Sequence, residues 1–188
     1  MNRNKGRIGF TAGNFDLIHP GYIYAFNDAK KNCDYLIVFL HDNPSIERSE
    51  KYKPAIPIHE RYQTLMALKS VDEVVTYQTE EDLLKLIEFF NPKVFMMENV
   101  PGILTMSNGK VKDTMMKEFE RLGYKNTSVR ILESANFEVP QMRTRAIFIG
   151  NRLNQKNPYP KIINSKDDYL KIENFINDLK NQFVFSFI

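Results

Sequence analysis

Two rhythms of apolar residues alternate along the first half of the chain. Residues 8–11 form a short apolar run that reads as a strand. Over 20–32 the apolar positions Tyr22, Ile23, Phe26 and Ala29 recur at the spacing of a helix with one buried face. Pro20 stands in the first turn, where a missing N–H costs least. Residues 34–40 are nearly all apolar, as in a strand covered on both faces. The polar stretch 41–57 carries Pro44, Pro54 and Pro57 with Lys51 and Lys53, and reads as a loop too long to be idle. Helical spacing returns over 59–69 through Tyr62, Leu65, Met66 and Leu68, and 71–75 is a short strand. Thr79 then caps a helix with Glu80, Glu81 and Asp82 in its first turn and Leu83, Leu84, Ile87 and Phe90 on its apolar face. Asn91-Pro92 stops it, and 93–97 is predicted as the next buried strand. Repeated strand–helix alternation predicts a doubly wound parallel sheet.

After Glu98 the rhythm changes. A loop with Pro101, Gly102 and Gly109 leads into a helix over 110–122 that Gly123 closes. Residues 127–132 and 146–149 read as two strands, and the segment between them is too short for a parallel crossover, so the pair is expected to be antiparallel. Residues 151–161 are polar loop, 167–179 a moderately amphipathic helix, and 183–188 an apolar tail expected to be an edge strand or the mark of a truncated chain. The fold class is therefore α/β: a Rossmann-like doubly wound parallel sheet with an antiparallel strand pair towards the C-terminal side.

Composition narrows this little. A hydrophobic fraction of 43% and a net charge of +3 suit an ordinary globular protein with phosphate-bearing or nucleic-acid ligands. Cys33 is the only cysteine, so no intrachain disulfide is expected, and it reads as a small core residue. His19, His41 and His59 fit no metal-ligand spacing. The polar start of the chain is not a signal peptide, and no apolar run is long enough to span a membrane. The expected setting is the reducing cytoplasm, without membrane contact.

The candidate chemistry centres on Gly13-Asn14-Phe15-Asp16-Leu17-Ile18-His19-Pro20-Gly21-Tyr22, between the first strand and the first helix. Glycines allow close backbone approach, a helix N-terminus offers N–H groups, and His19 offers an imidazole, which together suit an anionic ligand.

This stretch resembles the G-x-F-D-x-x-H-x-G-H signature of cytidylyltransferase-type nucleotidyltransferases, the group that includes glycerol-3-phosphate cytidylyltransferase. It carries Gly13, Phe15, Asp16, His19 and Gly21, with Tyr22 where the second histidine belongs. The resemblance runs over residues 7–97, through 33–38, Lys51, Lys53, Glu60-Arg61-Tyr62 and 71–74. It implies attack of a phosphorylated small molecule on the α-phosphate of a nucleoside triphosphate, usually CTP with Mg²⁺, releasing pyrophosphate. By the same resemblance His19, Lys51 and Lys53 are catalytic. Thr11, Gly13, Phe15, Asp16, Gly21, Tyr22 and Arg61 bind nucleotide and phosphate, and Asp16 meets the metal through the Mg²⁺–nucleotide. A homodimer is compatible with it. Two departures imply impaired activity. Tyr22 cannot carry an imidazolium charge, and after Met97 there is neither a Gly-Asp-Asp turn nor a Ser/Thr-rich segment ahead of an arginine.

Residues 83–179 resemble the middle of a DNA cytosine-5 methyltransferase. Glu98-Asn99-Val100 matches its E-N-V motif, and 137–145, with Gln141, Arg143 and Arg145, matches its G-V-P-Q-x-R-x-R segment. That resemblance implies a Glu98 that binds a flipped cytosine, with Asn99, Arg143 and Arg145 in support, and DNA and S-adenosylmethionine as partners. The Pro-Cys nucleophile and the glycine-rich S-adenosylmethionine loop have no counterpart in these 188 residues. The expected organisation is a nucleotidyltransferase-like half over 1–97 and a methyltransferase-like half over 98–188, joined within 79–97 and packed as one α/β domain. An inactive chimeric α/β protein prone to self-association is the remaining expectation.

Overall fold

The computed structural model describes residues 6–171. Most of the expected 167–179 helix and the whole 183–188 tail lie outside them. The chain divides into two compact units at Phe90 and Asn91.

The first unit is a three-stranded parallel sheet. Strand β1 (Ile8–Gly13) pairs with β2 (Tyr35–His41), which pairs with β3 (Glu73–Tyr77), in the order β1-β2-β3. Helices α1 (Pro20–Lys31), α2 (Ile58–Met66) and α3 (Glu80–Phe90) connect or follow them. The near-continuous apolar run of β2 has its expected cause, because the strand is buried on both faces. Leu36, Val38 and Leu40 pack with Phe26 of α1 and Leu65 of α2. The alternate residues Ile37 and Phe39 pack with Leu83, Leu86 and Phe90 of α3. Helices on both faces make the sheet doubly wound, as the alternation predicts, and Cys33 lies in the core as expected.

Some boundaries move. Helix α2 stops at Met66, short of 69, and β3 begins at Glu73 where 71–75 was expected. The carboxylate of Asp72 accepts the Leu36 N–H at 2.7 Å, so the chain joins the sheet through a side chain before the strand begins. Helix α3 has the expected cap. Thr79 Oγ1 accepts the Asp82 N–H and Asp82 Oδ2 accepts the Thr79 N–H, both at 3.1 Å. Its inward stripe is Leu83, Leu86 and Phe90, in place of Leu84 and Ile87.

The second unit holds β4 (Val94–Asn99), α4 (Lys110–Arg121), β5 (Asn126–Glu133) and β6 (Thr144–Asn151). Its sheet has the order β4-β6-β5 and is antiparallel throughout. The β5–β6 pairing agrees with the sequence pattern. Strand β4 does not: the alternation carries it on as a buried parallel strand, whereas it is an edge strand of the antiparallel sheet with Met96 73% exposed. Its apolar run is misleading because only one face is covered, where Phe95 packs on Phe119 and Tyr124. Gly123, at φ 92°, ends α4 with the paired bonds Gly123 N–H to Glu120 O and Tyr124 N–H to Phe119 O, both 2.9 Å.

Gly150 of β6 lies under the Phe95 ring, and a Cβ there would meet Phe95 Cζ and Thr127 Oγ1 at 2.7 Å. Gly150→Ala is expected to cost about 1–3 kcal/mol through overpacking, read as a lower urea midpoint. Adding Phe95→Leu should restore much of it, and no recovery in the double variant would refute this packing argument.

Candidate functional site

The site is built at the carboxyl ends of the parallel strands, where β1 hands over to α1. Phe15 turns the chain with φ 47°, a left-handed conformation that a bulky residue adopts only under constraint. The constraint is burial: its ring is 5% exposed and joins the core beside Phe26. Gly13 makes room for it, since a Cβ at Gly13 would lie 3.1 Å from the ring. The Gly-x-Phe spacing is therefore first a packing device, which shapes the turn that presents Asp16 and His19.

His19 is the N-cap of α1, and its Nδ1 accepts the Gly21 N–H at 3.1 Å. An accepting Nδ1 leaves the proton on Nε2, the nitrogen turned away from that bond. A side chain at Gly21 would strike the His19 ring at 2.8 Å, so this glycine keeps the imidazole folded over the helix start. Backbone donors are fewer here than the sequence suggests. Pro20 has no N–H, that of Gly21 goes to His19, and that of Tyr22 returns to His19 O at 2.9 Å. His19 is thus the side-chain donor that this helix start offers. Tyr22 lies with its ring centroid 4.6 Å from that of His19 and packs edge-on to Phe15. Thr11 sits within β1, opposite Val38.

The hydrogen-bond partners of Asp16 and Arg61 are backbone groups. The two carboxylate oxygens of Asp16 accept backbone N–H groups of the long loop, Ile56 at 2.8 Å and Ala55 at 2.9 Å. These two bonds, with Arg61 nearby, hold the Asp16 carboxyl below the usual aspartate range against the opposing effect of desolvation. Arg61 is 3% exposed and donates to Ile56 O, Asn14 O and His41 O at 2.8 Å and to Asp42 O at 2.7 Å. Four of its five N–H groups are thereby spent on carbonyls. Burial pulls its pKa down, and Asp16 and Asp42 oppose that shift. Arg61 is a buried tie between three segments. A signal for this was present: Ile58, Arg61 and Leu65 share the apolar stripe of α2, and a charge there must be paired.

Lys51 and Lys53 are exposed, and among the described residues neither side chain makes a hydrogen bond or ion pair. Tyr52 between them is 93% exposed. This span is fastened at both ends. Downstream, Asp16 and Arg61 hold Ala55 and Ile56. Upstream, Arg48 pairs with Glu80 at 2.6 Å and the Glu80 N–H donates to Glu47 at 2.8 Å. Sequence reasoning missed this upstream link, which no short motif announces. His41 is structural: it is buried, stacks on Tyr77 at 4.6 Å, and its Nε2 lies 3.1 Å from Gln78 O. Burial, with Glu80 close by, pushes the Tyr77 hydroxyl up to about 12.

In the second unit Glu98 and Arg145 meet, with Arg145 Nε 2.5 Å from Glu98 Oε1. The Asn99 side chain accepts the Val100 N–H at 2.8 Å. The Arg143 side chain is exposed, while its backbone N–H donates to Glu133 at 2.5 Å.

No group of three or more His, Cys, Asp or Glu side chains among the described residues could hold a metal ion. Asp16, the one carboxylate of the turn 13–22, is not by itself a ligand set for a resident Mg²⁺; such an ion would arrive as part of a nucleotide substrate. No helix among the described residues is long and apolar enough to cross a membrane.

A doubly wound parallel sheet with a histidine-capped helix after its first strand makes the first unit a Rossmann-like α/β domain. The chain belongs to the cytidylyltransferase-like family over residues 10–130 and, overlapping it, to the C-5 cytosine-specific DNA methylase family over residues 79–185. The first match extends beyond residue 97, where the resemblance in the sequence motifs ends. A type II methyltransferase M.DdeI of Desulfomicrobium norvegicum is 43% identical over 107 residues, covering 52% of this chain and 25% of that protein. The bifunctional protein HldE of Gluconacetobacter diazotrophicus is 38% identical over 91 residues, 48% of this chain and 19% of that one. A probable ethanolamine-phosphate cytidylyltransferase of Encephalitozoon cuniculi is 41% identical over 76 residues, 40% and 24% of the two chains. The chain spans a quarter or less of the length of each of these relatives.

Proposed function

We propose that the nucleotidyltransferase-like half, residues 1–97, binds a nucleoside triphosphate, CTP with Mg²⁺, and transfers its cytidylyl group to a small phosphorylated acceptor at a reduced rate. A phosphate oxygen of the acceptor attacks the α-phosphorus, and pyrophosphate leaves. The observation that carries this reading is His19, held by the Gly21 N–H with its Nε2 proton free for a phosphate oxygen. Lys51 and Lys53, unpaired on a fastened loop, supply positive charge for the β- and γ-phosphates. Phosphoryl transfer asks for such positioned charge more than for covalent chemistry. The likeness to a probable ethanolamine-phosphate cytidylyltransferase supports the substrate class.

Isothermal titration of the full chain with CTP and Mg²⁺ tests the reading. Saturable binding, lost in His19→Ala and weakened in Lys51→Ala/Lys53→Ala, is expected. Absence of binding at millimolar CTP would sink it.

A second reading rests on the Glu98–Arg145 pair, which brings together two residues of separate methyltransferase-like motifs. It assigns the 98–188 half to recognition of a cytosine in DNA, with S-adenosylmethionine as cofactor. The residues described offer no thiol for that chemistry apart from Cys33, which is buried in the first unit's core. Failure to bind either a cytosine-bearing oligonucleotide or S-adenosylmethionine would remove it.

A further inference from the structure

Both oxygens of Asp16 are turned to the long loop. Four bonds converge where that loop ends. Asp16 takes the N–H groups of Ala55 and Ile56, while Arg61 takes the carbonyl of Ile56 and, on the same guanidinium, the carbonyl of Asn14. Asn14 and Asp16 belong to the turn that presents His19. One turn therefore both aims the imidazole and grips the loop two residues downstream of Lys53. Pro54 lies between Lys53 and the grip and stiffens that step, since its φ is fixed. The other end of the span is held separately, by Glu47 and Arg48 at the start of α3.

We infer that Asp16 is a positioning residue: it latches the 55–56 backbone and so holds Lys51 and Lys53 at the phosphate site instead of contacting metal or nucleotide itself. The inference rests on the nucleotide reading for its purpose, although the latch itself is readable without nucleotide. A carboxylate suits the task because it accepts two N–H bonds at once. Asparagine, with one acceptor oxygen and an NH₂ that would face the second amide, cannot.

The test has two arms. In the first, amide exchange of the nucleotide-free protein is compared for wild type, Asp16→Asn and Asp16→Ala. The Ala55 and Ile56 amides are expected to exchange roughly tenfold faster or more in Asp16→Ala, with Asp16→Asn intermediate. Tryptic cleavage between Lys51 and Tyr52 should accelerate alongside. The Glu80 amide, bonded to Glu47 at the other anchor, should keep its wild-type rate, which separates release of the latch from loss of the fold. In the second arm, CTP affinity is measured in a double-mutant cycle. Asp16→Ala is expected to weaken binding about tenfold in the wild-type background and by less than twofold in Lys51→Ala/Lys53→Ala, as coupled residues behave.

Unchanged exchange at Ala55 and Ile56 would overturn the latch. A full tenfold loss persisting without the lysines would overturn action through them and return Asp16 to direct contact. A wild type indifferent to millimolar CTP removes the nucleotide reading, and the exchange arm still decides the latch. Should Asp16→Ala fail to fold, Asp16→Asn carries both arms.

Discussion

Arg61→Ala is expected to lower the melting temperature of the first unit by on the order of 15–30 °C, the equivalent of about 3–5 kcal/mol for a small domain. The cause is what the guanidinium leaves behind. Four carbonyls, of Asn14, His41, Asp42 and Ile56, lose their donor at a site that is 3% exposed. Each buried acceptor without a partner costs on the order of 1–3 kcal/mol, partly offset where water enters. Domains of this size have only about 5–15 kcal/mol in reserve. Arg61→Met fills the volume but donates nothing, so it should recover little. Arg61→Lys is the deciding variant. An ammonium cannot span the four acceptors that the planar fork reaches, so it too should melt early. A lysine variant with wild-type stability and lost CTP binding would instead make Arg61 a phosphate donor after all.

Much of the first unit was legible because its elements are periodic and its caps are local. The run 34–40 announces a doubly covered strand, and Thr79 with Asp82 announces the start of α3. Tertiary choices were not legible. An apolar run such as 93–97 serves equally as a central parallel strand or as an edge strand with one covered face, and only the partner decides. Strand β4 found β6. The residues of the site were named by their resemblance, but their employment was not. Asp16 and Arg61 carry charge, which in a sequence suggests phosphate and metal, whereas in the fold their nearest partners are backbone amides and carbonyls 2.7–2.9 Å away. Hydrogen bonds spanning 39 to 47 residues leave no trace in local spacing. His19 and Gly21, two positions apart, did leave one.

Tyr22→His is expected to raise pyrophosphate release from CTP and Mg²⁺ on the order of 10²–10³-fold, the amount typically lost with one donor of an electrostatic site. The assay supplies a panel of acceptors that includes glycerol 3-phosphate and ethanolamine phosphate. Position 22 lies one helical turn beyond His19, and the two rings are already 4.6 Å apart, so an imidazole there would stand beside the first at the start of α1. The substitution has a packing cost. Tyr22 stacks on Phe26 at 6.2 Å and meets Phe15 edge-on at 5.4 Å, contacts worth roughly 0.5–1.5 kcal/mol each beyond their buried area. A gain of 10²–10³ in rate corresponds to about 3–4 kcal/mol of barrier, so the gain should exceed the cost. The helix N-terminus disfavours an imidazolium in the free protein, but a bound triphosphate reverses that balance, and the benefit belongs to the nucleotide complex. If the histidine variant binds CTP as tightly as wild type and releases no more pyrophosphate, Tyr22 is not the limiting departure. The deficit then lies after Met97, where the sequence lacks an arginine segment to close over the triphosphate. That result would leave the first unit a nucleotide-binding domain whose chemistry depends on residues that the second half of this sequence does not provide.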